Sequence, residues 1–374
     1  MMHFKNLRIK SLKCVALVVL MALTLASCGD KPKGTAETYI ISNFTNNPGV
    51  GEFFTDSMER LYFCDFSSMN TAVICPNPNC SHTNEKSCSS YGMRNHPILF
   101  DQSIYFFDTE FVFSGDNTSV NMIIYKANTD GTNRSVVHTE KGISLAWYSR
   151  MVVHNNIAYF PAEDIEFEKG NSTDFSTGYL CSFDLSSGEF KNITEIYSGY
   201  HGGCIIYGIY NDKIYMDVGA SDIKIDYSDL DALIRERDSE DYEDSEDSYM
   251  CYNIPEGEFV KSDIPNFVFV NEDYFIYNDK STVILDKNGD IALEIDAENT
   301  DFALSVVNGK LFLEHDEVCY DIESKKKYKL NNSGCKIISY FNDQYILRYP
   351  NESDNVAYSY KAMSESELIG DEIK

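Results

Sequence analysis

The sequence predicts an all-β fold, a β-propeller of about seven four-stranded blades, on three observations. Past Glu37 there is almost no helical period. Apolar residues come instead as short runs of Ile, Val, Tyr and Phe broken by Asn, Asp, Gly and Ser, the pattern of strands and turns. One double-hairpin unit keeps returning. Its first hairpin is an apolar run, a tight polar turn and a second apolar run: ILFDQSIYFF (98–107), MVVHNNIAYF (151–160), IIYGIYNDKIYM (205–216), FVFVNEDYFIY (267–277), ALSVVNGKLFL (303–313) and IISYFNDQYIL (337–347). Its second follows each time: IIYKANTDGTNRSVV (123–137), YLCSFDLSSGEFKNI (179–193), YMCYNIPEGEFVKSDI (249–264), TVILDKNGDIALEI (282–295), VCYDIESKKKYKL (318–330) and VAYSYKAMSESELI (356–369).

An opening unit is expected from LYFCDFSSMNTAVI (61–74), with TYIISNF (38–44) and EFFT (52–55) as its first two strands. Spread over residues 38–374, seven units average about 48 residues, close to the roughly 40–50 of a propeller blade. Alternating Ile, Val, Tyr and Phe side chains are expected to pack between blades. Asp-Gly, Asn-Gly and Ser-Gly turns supply the positive φ angles that close hairpins. The composition agrees, with 43% hydrophobic and 13% aromatic residues to build a core. With 31 Lys+Arg against 59 Asp+Glu the formal charge is -28, which repels nucleic acid and excludes it as an expected partner.

Residues 1–27 read as a signal peptide: Lys5, Arg8, Lys10 and Lys13 precede an apolar run from Val15 to Leu23 that is too short to span a bilayer. Leu25-Ala26-Ser27-Cys28 resembles the bacterial lipobox. That resemblance implies a palmitate-bearing Cys28 as the first mature residue, exported and anchored to the outer face of the cell membrane. Ordinary cleavage, leaving Cys28 a bystander, is the alternative. Residues 28–37 then form a short polar tether, and 38–374 the propeller.

Propeller blades run from strand A at the hub to strand D at the rim, so A–B and C–D turns share one face and B–C and D–A connections the other. The A–B and C–D turns here are short. The B–C connections are long in three consecutive units, at 108–121, 161–178 and 217–248. Loops on a rigid scaffold carry function disproportionately, so this sector is the expected contact surface, with Asp108, Glu110, Asp164, Glu166, Asp222, Asp226 and Asp229 among its carboxylates. Within the acidic insertion 217–248, Ser228 can cap a helix bearing Leu230, Leu233 and Ile234. The acids from Asp238 to Asp247 can gather Ca²⁺ or a cationic partner, or form a solvated acidic segment.

Between the first and second units lies CPNPNCSHTNEKSCSSYGMRNHP, with Cys75, Cys80, His82, Cys88 and His96. As a D–A connection it is expected on the elaborated face, beside the long loop of unit two. Three readings stand: a disulfide, which exported proteins favour; a Cys3His zinc site, because Zn²⁺ takes four thiolate or imidazole donors; and a redox or catalytic thiol. The spacing Cys-x4-Cys-x-His-x5-Cys lacks the two-residue cysteine pairs of zinc fingers. Beyond Cys14 and Cys28 nine of the 11 cysteines remain, an odd number that leaves at least one free. Cys181, Cys251 and Cys319 recur in one strand of the repeat and, with Cys64, Cys204 and Cys335, read as core residues. Trp147 and Tyr148 can stack on a sugar or simply pack. The chain has no Gly-rich phosphate loop, no Gly-x-Ser-x-Gly elbow and no His-Glu-x-x-His.

The lipobox, the run LYFCDFSSMNTAVICPNPNCSHTNEKSC and the Tyr-rich hairpins resemble a group of lipoproteins from Gram-positive anaerobes. Their repeats are similar to a domain-of-unknown-function family named for the low-density lipoprotein receptor-related β-propeller and, more loosely, to TolB-like propellers. The resemblance implies a surface-anchored propeller and leaves the reaction or ligand open. The function expected first is a cell-surface scaffold for a protein, peptide or carbohydrate. The alternatives are an exported hydrolase or lyase and a metal-binding module built on the cysteine segment.

Overall fold

The recurrent polar turns decide the local structure. At five A–B turns two consecutive residues have positive φ: Asp101 and Gln102 (44° and 59°), Asn155 and Asn156 (49° and 66°), Asn211 and Asp212 (51° and 57°), Asn308 and Gly309 (52° and 70°), and Asn342 and Asp343 (49° and 60°). That is the type I′ geometry, whose twist matches the flanking strands, and Asn, Asp and Gly tolerate it best. The C–D turns use a second device. Asp184 Oδ1 accepts hydrogen bonds from the N–H groups of Ser186 and Ser187 at 2.8 and 3.1 Å, and Asp286 Oδ1 does the same for Asn288 and Asp290 at 2.8 and 3.1 Å.

In this computed structural model residues 39–373 are described, apart from 42–43, 48–49, 57–59, 83–87, 94–95, 115–116, 147–149, 169–170, 222–247, 265, 297–303, 314–315 and 352–357. The signal peptide, Cys28, the tether, Trp147, Tyr148 and the stretch holding Asp222, Asp226, Asp229 and Asp238 to Asp247 lie outside the described residues.

The chain folds as a β-propeller. Unit one holds β2 (Phe44–Asn47), β3 (Gly51–Thr55), β4 (Leu61–Asp65) and β5 (Asn70–Val73); unit two holds β6 (Ile98–Phe100), β7 (Ser103–Ser114), β8 (Asn117–Asn128) and β9 (Ser135–Lys141). Unit three holds β11 (Met151–His154), β12 (Ile157–Glu168), β13 (Asn171–Asp184) and the start of β14 (Phe190–Tyr210), with the two-residue β10 (Ser144–Leu145) beside β12. Unit four takes the end of β14, then β15 (Lys213–Ser221), β16 (Ser248–Asn253) and β17 (Glu258–Lys261). Unit five runs from β18 (Phe267–Val270) through β19 (Tyr274–Asn278) and β20 (Thr282–Asp286) to β21 (Ile291–Ile295), and unit six from β22 (Leu304–Val307) through β23 (Lys310–Leu313) and β24 (Val318–Asp321) to β25 (Lys326–Leu330). The last unit has β26 (Lys336–Phe341), β27 (Gln344–Pro350) and β28 (Tyr358–Met363). All the pairings among the described residues are antiparallel.

The core lies between units, as the two-residue alternation requires. Tyr105, Phe107 and Met122 of unit two pack with Met151, Phe160 and Phe183 of unit three. Tyr210 and Tyr215 of unit four meet Phe267 and Phe275 of unit five. Cys64 and Phe66 of unit one pack against Ile346 of the last unit, so first and last units touch. Cys64, Cys181, Cys204, Cys251 and Cys319 are buried, as expected of core residues, and Cys335 is half-buried.

Several expectations are corrected. The strand expected at 38–44 divides: β1 (Tyr39–Ile41) pairs with β11 of unit three, Tyr39 opposite Val153 and Ile41 opposite Met151, and keeps only the Ile41–Thr45 pairing to β2 of unit one. Running antiparallel to β11, it starts from the A–B turn side of unit three. The final hairpin, expected to complete its own blade, does not. After β28 the chain makes one helical turn, α1 (Glu365–Leu368), because Glu367 Oε2 accepts hydrogen bonds from Ser364 N–H and Oγ at 2.8 and 2.7 Å, a capping box. The turn redirects β29 (Ile369–Ile373) onto β25 of unit six, so the last unit has three strands among the described residues. The long B–C loops of units two and three are strands, since β7 and β8 stay paired from Ser103–Asn128 out to Ser114–Asn117, and β12 and β13 out to Glu168–Asn171.

Candidate functional site

The cysteine segment begins where β5 ends. Its donor atoms converge: one ligand atom from each of Cys75, Cys80, His82 and Cys88 lies within 4.8 Å of all the others. His82 Nδ1 is 3.3 Å from Cys88 Sγ, and the His82 N–H donates to Cys80 Sγ at 3.4 Å. His82 sits at φ 54°, a left-handed conformation uncommon for a non-glycine residue. Cys88 Sγ is also 2.8 Å from Ser90 Oγ.

The thiols differ in their chemistry. Burial pushes the Cys75 thiol up, but hydrogen bonds from the Asn77 N–H and from Ser89 outweigh it and hold the group below its ordinary range. Cys88 is raised by burial against the opposing pull of Ser90. The core thiols of Cys64, Cys181 and Cys319 are pushed up to about 12 by burial, which keeps them protonated and inert. The described cysteines all carry free thiols.

The segment's position corrects the expectation of a place beside the long connection of unit two. It lies at the outer seam of units one and two, against the C–D turn of unit two. Ser89 Oγ donates to Ile74 O at 3.3 Å, and a side chain placed on Gly131, in that turn, would lie 2.8 Å from Ile74 O and 3.1 Å from Ser89 Oγ. The physical reason is strand twist: successive strands rotate, so the rim end of one unit is carried toward the C–D turn of the next. Two arginines brace the segment. Arg60 bonds Asp56 Oδ2 through Nε at 2.6 Å and directs Nη1 to His82 O at 3.5 Å. Arg134 donates to Tyr91 O and Gly92 O at 3.2 and 3.4 Å while stacking over Phe106 and Tyr125.

The expected contact carboxylates lie on the extended hairpins. Asp108 is half-buried and accepts the Thr109 N–H at 2.9 Å; Glu110 is exposed, with Asn121 Nδ2 at 3.5 Å; Asp164 and Glu166 are exposed on β12. They are not gathered into one cluster with the thiols. The hairpin β7–β8 instead presents Phe111, Val112 and Phe113, which are 44%, 38% and 74% exposed. Sequence reasoning did not single these out, although the apolar triplet within a connection was there to be read.

It also did not foresee two polar groupings. Near the base of the second hairpin, Tyr197 donates to the buried Glu163 Oε2 at 3.1 Å. At the hub, on the opposite face, His154 lies between Asp212 Oδ1 (3.5 Å) and Glu272 Oε1 (3.4 Å), each from the A–B turn of a successive unit.

No protein-family model matches the chain, and no curated protein matches it. Among solved structures it is similar to a prolyl endopeptidase (9% identity, TM-score 0.44, 89% of this chain and 48% of that one) and to an oligogalacturonate lyase in complex with manganese (10%, 0.45, 90% and 96%). It is also similar to an acylaminoacyl peptidase of Pyrococcus horikoshii (11%, 0.47, 90% and 52%). The chain spans about half the length of the two peptidases. At these scores the likenesses carry no weight for activity or substrate.

Proposed function

We propose that this protein is an exported, lipid-anchored propeller of seven blades that presents its hairpin-bearing face to a protein, peptide or carbohydrate partner. One observation carries the reading: β7–β8 and β12–β13 continue as paired ladders past the blade body, and the first ends in the exposed Phe111, Val112 and Phe113. Exposed aromatic side chains on a fixed ladder bind at little entropic cost, because the backbone that carries them is already ordered. The path of β1 supports the same orientation. It starts from the A–B turn face, so a lipid on Cys28, joined by a tether of about ten residues spanning at most roughly 35 Å, holds that face toward the membrane and the hairpins away from it.

Two measurements on cells test this. Labelled palmitate is expected on the wild type and absent from Cys28→Ser. A photo-crosslinking residue at Phe113 is expected to give adducts that one at Asn308, on the A–B face, does not; adducts only at Asn308, or at neither, reject the scaffold reading. The hydrolase or lyase alternative has one observation in its favour, the His154, Asp212 and Glu272 grouping at the hub. Its carboxylates are 63% and 53% exposed, which gives little of the water exclusion that strengthens catalytic electrostatics.

A further inference from the structure

We propose that Cys75, Cys80, His82 and Cys88 hold one zinc ion, a site that goes beyond the scaffold reading and does not depend on it. The first argument is geometric. A tetrahedral zinc with Zn–S near 2.3 Å and Zn–N near 2.0 Å sets its donors about 3.5–3.8 Å apart. The donors here already lie within 4.8 Å of one another, and the His82 Nδ1 to Cys88 Sγ distance of 3.3 Å is close to a coordination edge. The ring nitrogen that faces the sulfurs is Nδ1, so coordination needs no ring flip.

The second argument is independent of the first and concerns what each sulfur accepts. Cys75 receives a hydrogen bond from the N–H of Asn77, Cys80 from that of His82, and Cys88 from that of Ser90. The spacing is the same each time: the donor lies two residues after the cysteine. A backbone donor in the same turn fixes the position of each sulfur, as hydrogen bonds around metal ligands do. A single disulfide uses two of these three sulfurs. It gives no reason for the third to be solvated in the same way, or for an imidazole to be turned inward at a left-handed φ.

Three thiolates and a neutral imidazole leave a zinc complex with one net negative charge. The Arg60 guanidinium, paired with Asp56, directs Nη1 to His82 O at 3.5 Å and fixes the backbone that carries the imidazole. Binding releases the thiol protons to solvent and transfers no electrons. The role is structural: the ion would pin the connection between units one and two onto the rim, where Arg134 already fastens its far end.

The test uses the full chain purified in detergent under reducing, oxygen-free conditions and dialysed against a weak chelator. One equivalent of zinc is expected in the wild type, lost from Cys75→Ser/Cys80→Ser/Cys88→Ser. Should that variant misfold, the wild type decides alone: Co²⁺ added after zinc removal is expected to give thiolate-to-cobalt charge-transfer bands and intense d–d absorption, both displaced by added zinc. Zinc retained equally by the folded triple variant means an adventitious ion only and overturns the proposal. So does a wild type that takes up neither zinc nor Co²⁺, whether its thiols titrate as free or peptide mass shows two of the three sulfurs joined.

Discussion

Arg348 donates through Nη1 to Glu52 Oε1 at 2.8 Å, joining β27 of the last unit to β3 of the first across a sequence separation of 296. Tyr360 OH donates to the other carboxylate oxygen at 2.7 Å. Both charged residues are buried. Among the described residues no strand from one end of the chain completes the blade at the other, since β29 goes to unit six, and the first and last units meet through side chains. This network is the polar part of that seam, beside the packing of Cys64, Phe66 and Ile346.

Removing Arg348 leaves a buried carboxylate without its counter-charge. Arg348→Met is expected to cost about 3–5 kcal/mol in urea unfolding. Adding Glu52→Gln in the same chain is expected to recover part of that cost, a coupling that a double-mutant cycle reads directly. The sign of the pH effect follows from Glu52. Burial raises its carboxyl above the ordinary value, against the opposing pull of Arg348 and Tyr360. A raised folded-state value contributes stability that is complete below the unfolded value and lost as pH rises through the folded one. The deficit of Arg348→Met should therefore be smaller at acid than at alkaline pH; a deficit that grows on acidification would contradict this.

The sequence made the repeating hairpins legible because the information is local. Asn155-Asn156, Asn211-Asp212 and Asn308-Gly309 choose their turn by their own φ preferences. The convergence of Cys75, Cys80, His82 and Cys88 was legible for the same reason, all four lying in one connection. What the sequence hid depends on the whole. The rim position of that connection comes from strand twist, which no residue encodes alone. The pairing of β1 with β11 and of β29 with β25 is decided by which edges are left open. The Ser364–Glu367 capping box was present as a pattern, but it sat inside what the repeat presented as a strand pair.

Lys310 and Asp321 give a second pH signature. Burial raises Asp321, but the hydrogen bond from Lys310 Nζ at 2.6 Å and the N–H of Ser324 outweigh it and hold the carboxyl down to about 2. A depressed folded-state value contributes stability that is present above the unfolded value, near 3.9, and lost as pH falls toward 2. Asp321→Asn is expected to lose on the order of 1 kcal/mol at neutral pH, a figure reduced for the solvent that reaches the pair. Wild type and variant should converge near pH 2. Urea midpoints taken across the acid range check this, and parallel curves would rule it out.

The hairpin tip separates stability from binding. Phe113 is 74% exposed opposite Thr118 on the partner strand, so Phe113→Ser removes little buried area. Its unfolding free energy is expected to stay within about 0.5 kcal/mol of wild type. Crosslinking yield from a probe at Phe111 should nevertheless fall in that variant. A large stability loss with unchanged yield would make the tip part of the core rather than a contact surface.

Tyr197 lies between two glycines. A β-carbon on Gly178 would fall 2.1 Å from the ring and one on Gly202 2.2 Å from it, so alanine at either position must displace the ring. That would break its hydrogen bond to Glu163, whose carboxylate is buried. Gly178→Ala is expected to destabilise by about 1–3 kcal/mol through overpacking, and Tyr197→Phe by about 1–3 kcal/mol through loss of this hydrogen bond to a buried acceptor. The two mechanisms are distinguishable by combination. With the ring gone the three atoms nearest the new methyl group are removed, so Gly178→Ala should add little in a Tyr197→Ala background while keeping its full cost in Tyr197→Phe. Equal costs in the two backgrounds, measured by urea unfolding, would show that the glycine is needed for its backbone and not for the room it leaves.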